Sequence, residues 1–378
     1  MFKIFLVVPP GLEDLAKSEI VDEMQNKKLI SKTLQEDLTY EIDLQNLWNA
    51  NIHLRIPNRI LVRLGDFRAT NFPELVKKAS RLNWEDYISP NTSISLRTTC
   101  KKSKLYHSDA VSQRIQSAIQ DRIHQKVNLQ KINLEDESEN NVQIIVVRII
   151  DDNVEISIDS SGTPLYKRGY RLAVTKAPLR ENLAAALILA SKWSPEHSLI
   201  DPFCGSGTIP IEGAMMKKNI PPGSNRNFIM EQWPIFKKKM KILSRYQPVE
   251  YKLEGDLNIF GSDRDSGAIK ISKDNCQRAN VTDLIHWSIN AISDMPRISE
   301  PGWIITNPPY GERISANQDL RNLYAQFGNI LRKEYAGWKV LFLCSDPNLI
   351  YQTQLVVKPI LHFSNGGINV KGYFSELL

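Results

Sequence analysis

The chain has 378 residues, 42% of them hydrophobic, and a formal net charge of +6 at pH 7. A chain of this length is long for one domain and sufficient for two or three domains with their own hydrophobic cores. It holds no run of about 18 apolar residues and no charged-then-apolar leader, so we expect neither a membrane span nor secretion. The positive charge is compatible with a polyanionic partner.

The spacing of cysteines and histidines predicts no metal site. The cysteines are far apart and form no C-x-x-C pair, and the histidines lack the spacing of metal ligands. We therefore expect reduced thiols, as in a cytoplasmic protein, and no bound metal. We interpret Cys204 as a packing residue rather than a nucleophile. The four cysteines are Cys100, Cys204, Cys276 and Cys344.

The first half of the chain is predicted to be an α/β region, because short alternating apolar runs are separated by segments with helical spacing. Asn71 and Pro73 give the start signals of one helix, and Ser108 is the predicted N-cap of another. Residues 126–141 hold few large apolar side chains and are expected to be exposed. In chain order the predicted elements are strand 2–8, helix 11–24, strands 38–42 and 60–64, helix 72–82, strand 93–99, helix 108–124, and a hairpin of strands 143–150 and 154–158.

Basic residues interleaved with aromatic or histidine residues occur in two clusters, one after strand 93–99 and one after the hairpin. Lysine and arginine neutralise phosphates, and exposed rings stack on bases. A solvated loop is the alternative for both clusters, and Arg168 or Arg171 fits a structural role equally well. The clusters are Lys101, Lys102, Lys104, Tyr106 and His107, and Lys167, Arg168, Tyr170 and Arg171.

From about residue 166 onward, predicted strands and helices alternate. Such alternation requires a mostly parallel sheet covered by helices on both faces. Asn365-Gly366-Gly367 is expected to form the turn of a closing hairpin. The predicted elements are residues 178–189, 198–203, 208–218, 257–263, 265–279, 284–289, 302–307, 319–334, 338–344, 358–363 and 368–373.

A Gly-x-Gly turn follows the first of these strands. Gly205 and Gly207 let the backbone approach a ligand at the open end of the strand, where nucleotide-like cofactors bind in doubly wound folds. The turn is not a dinucleotide fingerprint, because position 210 is Pro210, and no Gly-Lys-Ser/Thr follows to make a P-loop. An ordinary strand-to-helix turn is the alternative. The next strand ends at Asp263, where a carboxylate would hold a ribose diol.

An apolar run at residues 303–305 ends in Asn307-Pro308-Pro309-Tyr310, which predicts a buried strand that delivers a loop. The prolines fix φ, and Pro308 keeps Asn307 out of the helical region, so the loop stays extended when empty. The Asn307 side-chain oxygen and the Pro308 carbonyl then point the same way, beside the ring of Tyr310. Two acceptors next to an aromatic face suit a planar group that carries an NH2. A proline-stiffened turn is the alternative.

Three motifs, in this order, give the chain a family resemblance: Asp201-Pro-Phe-Cys-Gly-Ser-Gly-Thr208, Gly261-Ser-Asp-Arg-Asp265 and Asn307-Pro-Pro-Tyr-Gly-Glu-Arg313. The chain resembles S-adenosylmethionine-dependent amino-methyltransferases. More narrowly, it is similar to the bacterial RNA guanine-N2 methyltransferases that carry a THUMP domain and modify 23S ribosomal RNA. Supporting segments are Pro10-Gly-Leu-Glu-Asp-Leu15, Arg168-Gly-Tyr-Arg171 and Ala177-Pro-Leu-Arg-Glu-Asn-Leu183.

This resemblance implies two domains. Residues 166–378 are expected to form a Rossmann-like α/β methyltransferase domain, with a seven-stranded, mostly parallel sheet and an antiparallel hairpin at its edge. Residues 1–165 are expected to form an RNA-binding region made of a ferredoxin-like unit and a THUMP domain. The family carries an insert like residues 219–254, whose basic second part lines an RNA groove or forms a solvated helix face.

The resemblance also implies a cofactor, S-adenosylmethionine, and a role for each motif. The implied cofactor-binding residues are Asp201, Phe203, Gly205, Gly207, Asp263 and Asn290, with Leu179 and Arg180 near the methionine end. Asn290 stands where the class commonly has an acid that binds the adenine amino group, and its side-chain oxygen is the remaining acceptor. The implied catalytic residues are Asn307 and Pro308, which would hold the guanine amine, Pro309, and Tyr310, which would stack on the base.

Three alternatives stay open. A guanine-N2 methyltransferase acting on transfer RNA shares every catalytic feature. A protein glutamine methylase also uses Asn-Pro-Pro-Tyr, although it needs no THUMP-like region. A non-catalytic RNA-binding or ribosome-assembly protein would retain a vestigial pocket, against which the intact motif residues argue. The sequence carries no signal for the oligomeric state.

Overall fold

The computed structural model describes residues 1–26, 32–33, 38–90, 92–130, 142–172, 179–239, 258–298, 300–310 and 320–377. Up to residue 165 the elements are β1 (Phe2–Val7), α1 (Glu13–Asn26), β2 (Lys32–Thr33), β3 (Thr39–Ile42), α2 (Leu44–His53), β4 (Arg59–Arg68), α3 (Phe72–Ala79), β5 (Ser93–Lys101), α4 (Ser108–Ile123), β6 (Asn128–Leu129), β7 (Val142–Ile150) and β8 (Asn153–Asp159).

The alternation predicted for the rest of the chain is confirmed. These elements are α5 (Glu181–Ser191), β9 (Leu199–Asp201), α6 (Thr208–Lys217), α7 (Pro234–Lys239), β10 (Ile259–Asp263), α8 (Ser266–Arg278), β11 (Ile285–Ile289), β12 (Trp303–Thr306), α9 (Leu320–Glu334), β13 (Lys339–Cys344), α10 (Pro347–Thr353), β14 (Lys358–Asn365) and β15 (Ile368–Glu376).

The chain divides into two compact units that are not contiguous in sequence. The first unit comprises Met1–Val7, Ile20–Leu165 and Arg226–Gln247. The second unit comprises Val8–Glu19, Tyr166–Asn225 and Pro248–Leu378. One segment of the first unit ends at Leu165, next to the predicted boundary. Two shorter segments do not follow that boundary, because Val8–Glu19 belongs to the second unit and Arg226–Gln247 to the first.

The first unit contains one sheet with the strand order β2-β3-β1-β4-β8-β7-β5-β6 among the described residues. The ferredoxin-like and THUMP regions expected from the resemblance thus share a continuous sheet, which β4 and β8 join by antiparallel pairing. Asn71 caps α3 as predicted, by accepting from the Glu74 N–H at 2.9 Å. The N-cap of α4 is His107 rather than Ser108. Helix α2, for which we made no prediction, is capped by Asp43.

The second part of the 219–254 insert folds within the first unit as far as residue 239; residues 240–254 lie outside the described ranges. Trp233 is buried, and its indole donates to Gln143 Oε1 at 2.7 Å. The guanidinium of Arg226 donates to the Pro164 carbonyl at 2.7 Å and also contacts the Thr163 carbonyl. These two residues therefore anchor the insert instead of facing a partner, whereas the lysines at 237–239 are exposed.

The second unit contains a sheet with the strand order β11-β10-β9-β12-β13-β15-β14. Strands β9 to β13 pair in parallel, and the hairpin of β14 and β15 joins β13 antiparallel, as predicted. Within this hairpin, β15 pairs with β13 and β14 forms the edge of the sheet. Val8–Glu19 belongs to this unit, and a Cβ at Gly11 would lie 1.8 Å from the His362 carbonyl oxygen of β14.

Within the described ranges, the helices are all too short or too polar to pass through a lipid bilayer.

Candidate functional site

The carboxyl ends of three adjacent strands bring the sequence motifs together. Strand β9 lies between β10 and β12, and all three run in parallel. The Gly-x-Gly turn therefore leaves the sheet between the loop that follows Asp263 and the loop that begins at Asn307. This edge of an open α/β sheet is where ligands bind in such folds.

The glycines of the turn are required both by backbone conformation and by close packing. Gly205 and Gly207 have φ values of +53° and +82°, in the left-handed region that favours glycine. A Cβ at Gly207 would lie 2.7 Å from the ring of Trp287 and 3.0 Å from the Ser272 Cβ. The same tryptophan, on β11, would meet a Cβ at Gly261 at 2.4 Å. The half-buried indole of Trp287 thus explains a glycine in each of two motifs.

Hydrogen bonds within the motifs fix the turn. The Gly205 N–H donates to Asp263 Oδ2 at 3.0 Å, and the Gly207 N–H donates to the Cys204 carbonyl at 2.8 Å. The other carboxylate oxygen of Asp263 accepts from the Asp265 N–H at 3.0 Å. Both glycine N–H groups are therefore used by the protein itself, and Asp263 ties the end of β10 to the turn.

Helix α8 holds the carbonyl side of the turn. Ser272 Oγ donates to the Gly205 carbonyl at 2.8 Å, and Asn275 Nδ2 donates to the Ser206 carbonyl at 3.0 Å. The Ser206 N–H belongs to the same peptide unit as the Gly205 carbonyl, which faces α8. Because the N–H and the carbonyl of a trans peptide point in opposite directions, the Ser206 N–H points away from α8. Among the described residues this N–H has no acceptor. The turn thus presents one fixed donor on its open side.

A buried carboxylate joins the turn to the loop after β12. Asp201 Oδ1 accepts from Thr306 Oγ1 at 2.6 Å and from the Phe203 N–H at 3.2 Å. The pKa of Asp201 is raised from 3.8 to about 7, and burial is the largest cause. The two hydrogen bonds act against this shift, and the nearby charge of Asp263 adds to it. Because Thr306 directly precedes Asn307, this contact sets the position of the loop relative to the turn.

The loop carries an acceptor that no described residue uses. Pro308 is buried, and Asn307 is partly buried at the end of β12. Asn307 Oδ1 is inaccessible to solvent and has no hydrogen-bond donor among the described residues. Tyr310 is half-buried, and its hydroxyl accepts from Asn365 Nδ2 at 3.0 Å. A buried acceptor without a partner is costly, so a ligand that donates here would relieve that cost.

Two further predicted residues flank this arrangement. The ring of Phe203 packs edge-on against Phe327, with ring centroids 5.8 Å apart. The backbone N–H of Asn290 donates to the Asp263 carbonyl at 3.1 Å, and its side-chain nitrogen donates to the Asp294 carbonyl at 3.0 Å. The side-chain oxygen of Asn290 therefore remains an acceptor next to Asp263.

Sequence reasoning missed the residues that support the motifs. Thr306 falls within an apolar strand and drew no attention. Ser272 and Asn275 are fully buried on α8 although both are polar, and their spacing of three residues puts them on one helix face. Polar residues at buried helix positions were the available signal. Trp287 had no signal, because only the fold brings it against the glycines.

The cluster at residues 167–171 is mostly structural. Arg168 and Tyr170 are buried, and both approach Glu212 Oε1, at 3.6 Å and 3.1 Å. Arg171 pairs with Glu181 at 2.8 Å. The two arginines therefore pair with acids on α6 and α5 rather than with phosphates, and Tyr170 donates a hydrogen bond to one of these acids. The structural role considered for Arg168 and Arg171 is the one that the structure shows, and Tyr170, for which no such role was predicted, shares it.

The cluster after β5 differs, because its side chains are exposed. Lys101, Lys102, Lys104, Tyr106 and His107 all lie at the surface of the first unit, and Tyr106 is 68% exposed. The rings of Tyr106 and His107 contact each other, with centroids 4.1 Å apart. This surface is chemically suited to a polyanion.

The strand ends together offer a fixed N–H donor, carboxylates, an unused amide acceptor and an aromatic ring. Such a set can hold a polar cofactor beside a planar group with an NH2. Within the part of the chain that the structure describes, no three His, Cys, Asp or Glu side chains are grouped closely enough to hold a metal ion.

Comparison with protein families agrees with the motifs. Residues 168–365 match the model described as an RMKL-like methyltransferase domain. Residues 69–159 match the THUMP domain model. The first match covers the glycine turn, Asp263, Asn290 and the Asn307 loop.

Individual relatives extend over almost the whole chain. "Putative RNA methyltransferase YpsC" of Bacillus subtilis is 33% identical, over 92% of this chain and 89% of the relative. "Ribosomal RNA large subunit methyltransferase K/L" of Aliivibrio salmonicida is 29% identical over 97% of this chain, which spans 52% of that longer relative. The solved structure of "SMU.472, a putative methyltransferase complexed with SAH" is 27% identical and superposes with a TM-score of 0.81, covering 100% of this chain and 98% of that one. The chain therefore belongs to the RMKL-like methyltransferase family and carries a THUMP domain.

Proposed function

We propose that this protein transfers a methyl group from S-adenosylmethionine to the exocyclic N2 amine of a guanine in RNA, with 23S ribosomal RNA as the substrate. The observation that carries the proposal is the buried Asn307 Oδ1, which has no donor within the described ranges, in the same loop as the half-buried ring of Tyr310. An amine on a planar base supplies the missing donor, and its ring has an aromatic face to stack on.

The residues at the strand ends fit the cofactor. The Ser206 N–H is a free donor suited to a carboxylate, at the N-terminus of α6 where an anion is favoured. Asp201 and Phe203 lie at the base of the same turn, Asp263 at the end of β10 suits the ribose, and Asn290 offers an amide oxygen for the adenine amino group. When bound, the cofactor supplies a methyl group that is already electrophilic, because it is attached to a sulfonium.

The loop after β12 positions the acceptor amine. Asn307 and the Pro308 carbonyl accept its two N–H bonds, which aims the nitrogen lone pair at the methyl group. Tyr310 stacks on the base and replaces the stacking that the base loses when it leaves its own helix. No strong base is needed, since the proton leaves after transfer. Pro309 keeps the loop extended between the two contacts.

RNA is supported as the substrate by the THUMP match, by the printed names of the relatives and by the exposed basic cluster of the first unit. Ribosomal RNA of the large subunit is supported by the K/L relative, of which this chain spans about half. We accordingly assign RNA binding to residues 1–165 and methyl transfer to residues 166–378. A cytoplasmic location follows from such a substrate and agrees with four unpaired cysteines.

The test uses labelled S-adenosylmethionine, the purified protein and total RNA from a strain that lacks it, with nucleoside mass spectrometry on separated fractions. We expect N2-methylguanosine in 23S RNA. The same nucleoside in transfer RNA alone would keep the chemistry and overturn the ribosomal substrate. A label in protein that persists after RNase treatment would favour a glutamine methylase. Cofactor binding without label in naked RNA, ribosomal particles or protein would favour the non-catalytic alternative.

A further inference from the structure

The fold brings the tip of the closing hairpin to the edge of the sheet that carries the site. Strand β15 runs antiparallel to β13, and its Lys371 pairs with Cys344, the last residue of β13. The residues before Lys371 therefore extend past the carboxyl end of β13. The loop at Asn307 leaves the neighbouring strand β12 at the same edge, so the tip and the loop meet.

The hairpin tip is short and well defined. Asn365 pairs with Ile368, which leaves a two-residue turn of Gly366 and Gly367. Both glycines have positive φ, +58° and +85°, as the tight turns preferred by hairpins require. Because so short a turn leaves little backbone freedom, the side chain of Asn365 is held at a fixed place.

This side chain contacts the aromatic residue of the loop. Asn365 is half-buried, and its Nδ2 donates to the Tyr310 hydroxyl at 3.0 Å. The ring of Tyr310 also packs against the hydrophobic core of the second unit. The ring thus has apolar contacts along its body, and its hydroxyl accepts the hydrogen bond from Asn365.

We propose that Asn365 is a positioning residue for the acceptor base: it fixes the ring of Tyr310 in the orientation on which a purine stacks. The inference rests on the proposed function and adds the closing hairpin to the substrate side of the site. The donor to the tyrosine hydroxyl comes from β14, more than 50 residues away in the sequence.

A double-mutant cycle tests this coupling. Asn365→Ala and Tyr310→Phe each remove one partner of the hydrogen bond, so each is expected to lower kcat/KM for RNA by about five-fold, the scale of one neutral hydrogen bond. The double variant is expected to lose no more than either single variant. Asn365→Asp is expected to restore activity to within about two-fold, because the tyrosine hydroxyl then donates to the carboxylate.

Asn369→Ala is the matched control, since it removes an exposed asparagine from the same hairpin. It is expected to leave kcat/KM unchanged. All variants are expected to keep the thermal midpoint and the Kd for S-adenosylhomocysteine of the wild type. Multiplicative losses in the double variant, or equal losses in Asn365→Asp and Asn365→Ala, would overturn the assignment. The wild-type rate on RNA reports separately on the proposed function, so its absence would refute that function rather than this coupling.

Discussion

The glycine turn and the Asn307 loop lie side by side, yet they are built in opposite ways. In the turn, both glycine N–H groups and the carbonyls of Gly205 and Ser206 are bonded within the protein. In the loop, two prolines fix the backbone, while the buried oxygen of Asn307 is left without a donor among the described residues.

This difference suits a rigid turn and a loop that keeps one hydrogen-bond acceptor available. The turn reaches its shape through internal bonds, and its open side offers one N–H. The loop retains an unpaired acceptor that costs roughly 1–3 kcal/mol in the empty protein. Under the proposed function, an amine bound there would remove this cost and so contribute to the affinity for substrate. Substitutions that act on only one of the two regions separate their roles.

Gly207→Ala would break the turn and leave the loop intact. Alanine at this position would have to adopt the left-handed backbone conformation of Gly207, and its Cβ would lie 2.7 Å from the ring of Trp287. We expect a loss of about 3 kcal/mol in the free energy of unfolding and about 100-fold weaker binding of S-adenosylhomocysteine, measured by denaturation and calorimetry. Gly367→Ala is the matched control, because it has a φ of +85° but no atom within 4 Å of its Cβ. Equal effects of the two variants would contradict the packing explanation.

Asp201→Asn tests the contact that joins the turn to the loop. Burial raises the folded-state pKa of Asp201 to about 7, above its unfolded value of 3.8. The folded protein therefore binds this proton more tightly, and its stability falls as pH rises from about 4 to about 7. Asparagine keeps an oxygen for Thr306 and Phe203 and cannot ionise.

The Asp201→Asn variant should thus gain stability relative to wild type as pH rises. Between pH 5 and pH 7 the difference should grow by about 2 kcal/mol, at 1.36 kcal/mol for each unit of pH over which only the unfolded state is ionised. Chemical denaturation of the cofactor-free protein at several pH values measures it. A difference that is constant across this range would show that Asp201 is ionised in the folded protein.

Ser272→Ala removes a single hydrogen bond from the turn, so we expect the smallest effect from it. It removes the donor to the Gly205 carbonyl but leaves the Asn275 bond to Ser206. We expect about five-fold weaker binding of S-adenosylhomocysteine, the scale of one hydrogen bond. Lys273→Ala, an exposed neighbour on α8, should bind normally. Normal affinity in Ser272→Ala would mean that α8 does not set the orientation of the turn.

Much of this architecture follows from local sequence. The alternation of strands and helices after residue 166, the hairpin at Asn365 and the cap at Asn71 were all predicted from periodicity and turn residues. Each depends on neighbours in the chain, where pattern and propensity carry the information. The position of every motif at one sheet edge follows from parallel topology alone.

The support of the site could not be predicted in this way. Trp287 against Gly207, Thr306 on Asp201 and the helix α8 contacts all join residues that are distant in sequence. The basic cluster at Arg168 was also hard to interpret from the sequence, because its acidic partner Glu212 lies 44 positions away. Glu212 is on a helix whose other residues are apolar except Thr208 and Lys217 at its two ends. A buried acid in an apolar helix is the signal that such arginines are paired internally.

The most direct test of the account is the rate of Asn307→Ala under single-turnover conditions, with saturating cofactor and the RNA fraction that the wild type methylates. We expect a rate lowered by about 100-fold or more, the scale of a lost orienting group, with the Kd for S-adenosylhomocysteine and the thermal midpoint unchanged. A rate close to that of wild type would contradict it, because the unpaired oxygen of Asn307 would then have no part in holding the amine.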